Sequence, residues 1–116
     1  NQDDLGIGQV LENIAPYVDY LAPMLYPSHY PLGWNGYKNP ATQPYKVVNT
    51  SIIEGVKRLE AQGWDKSKLR PWLQDFNLGV TYTPTRVKSQ LEALEDNGIS
   101  SWMMWNSASR YTFSVY

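Results

Sequence analysis

Three short apolar runs of the chain each end where aromatic rings and hydrogen-bonding groups meet. Tyr26, Ser28, His29, Tyr30 and Trp34 follow the first run, Gln74, Asp75 and Phe76 close the second, and Trp105 and Asn106 close the third. That mixture suits a carbohydrate. Its flat C–H faces lie against indole or phenol rings, and its hydroxyls need partners that both donate and accept, as the amides of Gln74 and Asn106 do. Hydrolysis of a glycosidic bond ordinarily requires two carboxyl groups flanking the bond, one kept protonated and one ionised. Asp75 is the carboxylate placed at the end of such a run. Glu12, Glu54, Glu60, Glu92, Glu95 and Asp96 fall on helix faces or ends, and Asp3, Asp4, Asp19 and Asp65 in turns or at strand starts, where solvation accounts for them. Two roles stay open for Asp75: general acid/base work in a cleft, or acceptance of a hydrogen bond from a neighbouring loop N–H or from Arg86.

The remaining chemistry-bearing residues narrow the choice of reaction. His29 is the one histidine and cysteine is absent, so the chain builds neither a multi-histidine nor a thiolate metal site, and no cofactor is expected. Ser28, His29 and Asp75 make a poor nucleophilic set, because adjacent residues alternate in direction and no Gly-x-Ser-x-Gly elbow is present. His29 reads as a donor to a substrate hydroxyl or as a structural loop histidine. Trp72 and Trp102 stand early in their runs and read as barrel-core filling, whereas Trp105, late in its run, reads as a stacking surface. Trp34 is a sugar platform or a loop anchor, with Gly33 and Gly36 leaving it room. Met103 and Met104 read as core.

Positioning these residues is the work of alternating elements. Ile7, Val10, Leu11 and Ile14 form an amphipathic stripe that Pro16 curtails, which predicts an opening helix. Tyr20 to Tyr26 predicts a first strand despite Pro23. Pro27 to Pro44 holds prolines, glycines and tyrosines without period, which predicts a long loop of the functional kind. Val48, Ile52, Val56 and Leu59 share one helical face, with Gly63 where a left-handed residue would end the helix. Leu69 to Phe76 predicts a second strand. Thr83 then offers an N-cap and Pro84 a first helical residue, before a stripe of Val87, Leu91 and Leu94 ending at Gly98. Ile99 to Asn106 predicts a third strand, and a polar aromatic tail runs from Ser107 to Tyr116. The order αβαβαβ requires parallel crossovers and so an α/β architecture. A closed barrel needs about 250 residues; a chain of 116 residues is read as a slice of a (β/α)8 barrel carrying three parallel strands.

Composition agrees with one domain and excludes other classes. The chain is 42% hydrophobic and 18% charged, with a net charge of -1 and its basic residues scattered, so it lacks the electrostatic footprint of a nucleic-acid or anionic-membrane binder. No apolar run approaches the ~20 residues that cross a bilayer. Aromatic residues make up 14% of the chain, and many of them lie in Pro- and Gly-containing loop segments such as Tyr26 to Tyr37, which points to a binding surface.

The motifs Ala22-Pro23-Met24-Leu25-Tyr26-Pro27-Ser28-His29-Tyr30, Arg70-Pro71-Trp72-Leu73-Gln74-Asp75-Phe76 and Ser101-Trp102-Met103-Met104-Trp105-Asn106, in this order and spacing, resemble the DUF4015 family of the TIM-barrel glycosidase superfamily. The resemblance runs from Gly6 to about Tyr111. It implies that these are the last three strands of the barrel, with Tyr26 and the Trp102 to Trp105 segment similar in placement to residues lining the pocket of chitinase-like barrels. It also implies a bacterial polysaccharide enzyme, exported or attached to the envelope. The family's acidic strand-end motif of the Asp-Tyr-Ile-Arg-Phe-Pro kind has no counterpart in Asn1 to Tyr20, so the expectation is a glycosidase whose turnover this segment alone does not complete. A carbohydrate-binding module without turnover and a purely structural barrel segment are the alternatives. The expected partners are a carbohydrate and either the remainder of the barrel or another copy of the chain, because a three-stranded slice leaves unpaired edges.

Overall fold

A computed structural model of the chain describes residues 10–116. Helix α1 spans Leu11–Ile14, and Pro16 passes it into a 3₁₀ turn over Ala15–Tyr17. Ile7 of the predicted stripe lies outside the described residues. Helix α2 runs over Pro44–Ala61, beginning ahead of the Val48 stripe because Pro44, whose missing N–H has no partner to lose in a first turn, opens it. It buries Val47, Val48, Ile52 and Leu59. Gly63, at φ 82°, then ends it in the left-handed conformation, with Trp64 N donating to Leu59 O at 3.0 Å. Helix α3 spans Pro84–Asp96, capped by Thr83 Oγ1, which accepts from Arg86 N at 3.3 Å. The two long helices lie side by side, joined by Asn97 Nδ2 donating to Asn49 Oδ1 at 2.7 Å and Tyr45 OH donating to Asp96 Oδ2 at 2.6 Å.

The sheet is smaller than the three strands predicted. Strand β1, Trp72–Gln74, pairs in parallel with strand β2, Met103–Trp105. The segment expected to form another strand, Tyr20 to Tyr26, instead makes two isolated parallel bridges, Leu21 to Leu69 and Met24 to Trp72. Pro23 is the cause. Leu21 exchanges bonds with Lys68 O and Arg70 N, and Pro23 O accepts from Trp72 N, but position 23 has no N–H to return toward Arg70. The ladder keeps its register and loses its continuity. The chain is thus a mixed helix and sheet structure with a two-stranded parallel sheet, flanked in register by a bridged segment.

One face of this sheet is covered. Leu25, Leu69 and Leu73 pack with Val48, Ile52 and Leu59 of α2 and with Ala93, Leu94 and Ile99 at and after α3; of the four residues read as core, Trp102 and Met104 border it and Trp72 and Met103 do not. The opposite face carries Met24 and Trp105, exposed by 68% and 45%, with Trp72 edge-on to Trp105 at 6.0 Å. Parallel sheets are ordinarily covered on both faces; among the described residues this sheet is covered on one face only.

An ion pair ties α1 to α2. Arg58 Nε and Nη2 donate to the two Glu12 oxygens at 2.7 and 2.6 Å. The hydrogen bond from Arg58 holds the Glu12 carboxyl at about 2 against its ordinary 4.5. Because the folded value lies below the unfolded one, the stabilisation is complete above pH 4.5 and is lost as pH falls toward 2. Solvent screening limits it to about 1 kcal/mol. Urea titrations on either side of that window should show this difference, and Glu12→Gln should abolish the part due to the pair.

Candidate functional site

The ends of three neighbouring parallel segments come together as the sequence predicts. Leu25 N donates to Trp72 O at 3.0 Å, which sets Tyr26 beside the end of β1, and Asp75 N donates to Trp105 O at 3.0 Å, which sets Asp75 beside the end of β2. Tyr26, Asp75 and Trp105 therefore leave adjacent, parallel stretches of chain.

Gln74 is fully buried, and its amide is committed to the chain itself. Oε1 accepts from Ser28 N at 3.0 Å, while Nε2 donates to Ser28 Oγ at 2.7 Å and to Phe76 O at 2.9 Å. Ser28 and Gln74, both expected to face a sugar, thus fix the turn Pro27–His29 against β1. Around that turn, Tyr26 meets His29 and Phe76 edge-on at 5.2 and 5.3 Å. Tyr26 is buried, which raises its phenol above the ordinary value, with Tyr111 adding a smaller push. His29 is exposed and Phe76 half-buried.

The long loop that follows is ordered by three anchors. Besides Ser28, Tyr30 OH shares a 2.8 Å hydrogen bond with Ser51 Oγ of α2, and Tyr82 OH donates to Ala41 O at 2.9 Å. Trp34 is half-buried, meeting Tyr30 at 4.5 Å and Tyr37 at 6.1 Å, so one part of its surface anchors the loop and another remains open. Gly33 at φ 84°, Asn35 at 53° and Gly36 at 80° make the tight reversal that carries it.

Asp75 is 4% exposed. Oδ1 accepts from Thr112 Oγ1 at 2.7 Å, and Oδ2 accepts from Thr112 N at 2.6 Å and from Tyr116 OH. A loop N–H is among its partners, as one of the two open roles requires. Arg86 is not; its Nη1 donates to Thr81 O at 2.7 Å. Burial, followed by the contact with the Asp75 carboxylate, pushes the Tyr116 phenol well above its ordinary range. Asn106 is also engaged: Nδ2 donates to Asp75 O at 2.5 Å, and Oδ1 accepts from Ala108 N and Arg110 N, which turns the chain out of β2.

Thr112 and Tyr116 were missed as site residues by the sequence, where nothing local distinguishes them within a polar aromatic tail. Among the described residues no group of three or more His, Cys, Asp or Glu side chains could hold a metal ion, and no helix is long and apolar enough to cross a membrane.

Parallel strands backed by helices on one face, with aromatic and carboxyl groups gathered at their C-terminal ends, define the class as an α/β domain of the kind that carries enzyme sites at strand ends. The family is specific: residues 1–111 match the model described as "Putative glycosyl hydrolase domain", DUF4015, and the chain belongs to that family. No curated protein and no solved structure matches it.

Proposed function

We propose that this chain is the C-terminal segment of a (β/α)8 glycoside hydrolase, supplying one wall of a saccharide cleft at the ends of its last strands. Asp75 serves as one of the two carboxyl groups, and the second comes from strands of the barrel outside these residues. His29, Trp34 and Trp105 present the open ring surface of the cleft, with Tyr26 and Phe76 packed against His29 and Tyr30 against Trp34, while Ser28, Gln74 and Asn106 hold the turns that carry them. The observation that supports this reading most is the exit of Tyr26, Asp75 and Trp105 from adjacent parallel stretches. The open sheet face around Met24 is where the remaining strands, or a second copy of this chain, would pack. An extracellular or envelope location fits a polysaccharide substrate.

The test compares the full reading frame with this chain alone on defined oligosaccharides, reading new reducing ends and, separately, heat of binding. Hydrolysis by the full protein and none by the segment is the expected outcome. Binding without new reducing ends in either protein would replace this reading with that of a carbohydrate-recognition module. Trp105→Ala should weaken oligosaccharide binding by about fivefold, the loss of one ring contact of about 1 kcal/mol, as calorimetry would show.

A further inference from the structure

One stretch of five residues occupies both oxygens of Asp75. Thr112 offers its N–H at 2.6 Å and its hydroxyl at 2.7 Å, and Tyr116 offers its phenol. Two hydroxyls and an N–H around a carboxylate form the same kind of donor set that the hydroxyls of a sugar present. Between these two residues the chain makes a 3₁₀ turn, Phe113–Val115, whose Phe113 and Ser114 are exposed. The Tyr116 ring lies against Trp102 and Phe113, each at 5.8 Å. The family match covers residues 1–111, and the stretch over the carboxylate follows it.

We propose that residues 112–116 are a strap that closes the Asp75 carboxylate by imitating saccharide hydroxyls, and that it must lift before a substrate reaches Asp75. The inference rests on the reading of Asp75 as a substrate-facing group. Here every bond to the carboxylate comes from a stretch whose own middle residues stand in solvent, so its removal uncovers the carboxylate without emptying the core.

The test is carbodiimide coupling of a glycine amide to carboxylates, mapped by peptide mass, with exposed Asp65 as internal reference. In the unaltered chain Asp75 should be protected relative to Asp65. In Tyr116→Phe, which keeps the ring contacts, and in a chain ended after Tyr111, coupling at Asp75 should rise, by ~10-fold in the latter, as expected when hydrogen bonds of this strength are withdrawn. Far-ultraviolet circular dichroism unchanged from the parent verifies the fold of each. Equal coupling at Asp75 and Asp65 in the unaltered chain, or no rise in the folded shortened chain, overturns the strap. In the full protein the shortened form should also raise kcat/KM. Turnover that depends on Asp75 yet ignores the strap would overturn it as well, whereas a rise in coupling without turnover in any form would defeat the glycosidase reading and leave the strap standing.

Discussion

Asp75→Asn in the full protein is expected to lower kcat by about a hundred- to ten-thousand-fold, the usual contribution of a positioned acid or base, with oligosaccharide binding changed by no more than about twofold. The substitution is informative because the site tolerates an amide. Thr112 N can only donate, so the remaining Asn oxygen must face it at the position where Asp75 Oδ2 now stands. The new NH₂ then faces Thr112 Oγ1, and a hydroxyl can turn from donor to acceptor. Stability should therefore fall little, and a loss of rate is chemical in origin. Asp75→Ala behaves differently: it leaves Thr112 N and the Tyr116 phenol without their acceptor and should lower stability as well as rate. Initial rates alongside urea unfolding separate the two effects. A fully active Asp75→Asn enzyme would exclude the carboxylate from the mechanism.

The helices were the most legible part of the fold because their signals are local. Thr83 and Pro84 open α3, and Gly63 closes α2 through a left-handed residue. The strands were legible as apolar runs and over-long as predictions, since Pro23 takes one donor out of the ladder and leaves bridges where a strand was expected. The convergence of the three run ends was also readable, because parallel crossovers bring C-terminal strand ends to one side. What each polar side chain does there was not. Gln74 reaches Ser28 across 46 positions, and Asp75 reaches Thr112 across 37, and no local spacing encodes such pairings. The amides expected to greet a sugar are consumed by turns, and the ring surfaces of His29, Trp34 and Trp105 are what remains open. One buried polar residue did leave a trace: Gln90 lies three residues after Val87 and four before Leu94, on the apolar stripe of α3, where a polar side chain requires a partner.

That partner is the backbone of Gln74, and replacing Gln90 with Leu should cost about 2–6 kcal/mol. Gln90 Oε1 accepts from Gln74 N at 2.8 Å and Nε2 donates to Gln74 O at 2.7 Å, so one side-chain amide satisfies both peptide groups at the end of β1. The neighbouring segment cannot supply the second of these bonds. After Leu25, which donates to Trp72 O, the next donor in parallel register would be position 27, and Pro27 has no N–H. Gln90 is fully buried, so leucine would fit the space while stranding a donor and an acceptor away from water, each at about 1–3 kcal/mol. That sum is a large share of the 5–15 kcal/mol typical of a domain. The strain would fall on Gln74, whose side chain holds the Pro27–His29 turn, so the same variant should loosen the ring cluster of Tyr26, His29 and Phe76. Gln90→Glu refines the test: its carboxylate still accepts from Gln74 N but repels Gln74 O, and protonation restores a donor. Since burial favours the neutral form, this variant's stability should recover as pH falls. Urea midpoints for Gln90→Leu within about 0.5 kcal/mol of the parent would show that the amide pairing does not hold the end of β1.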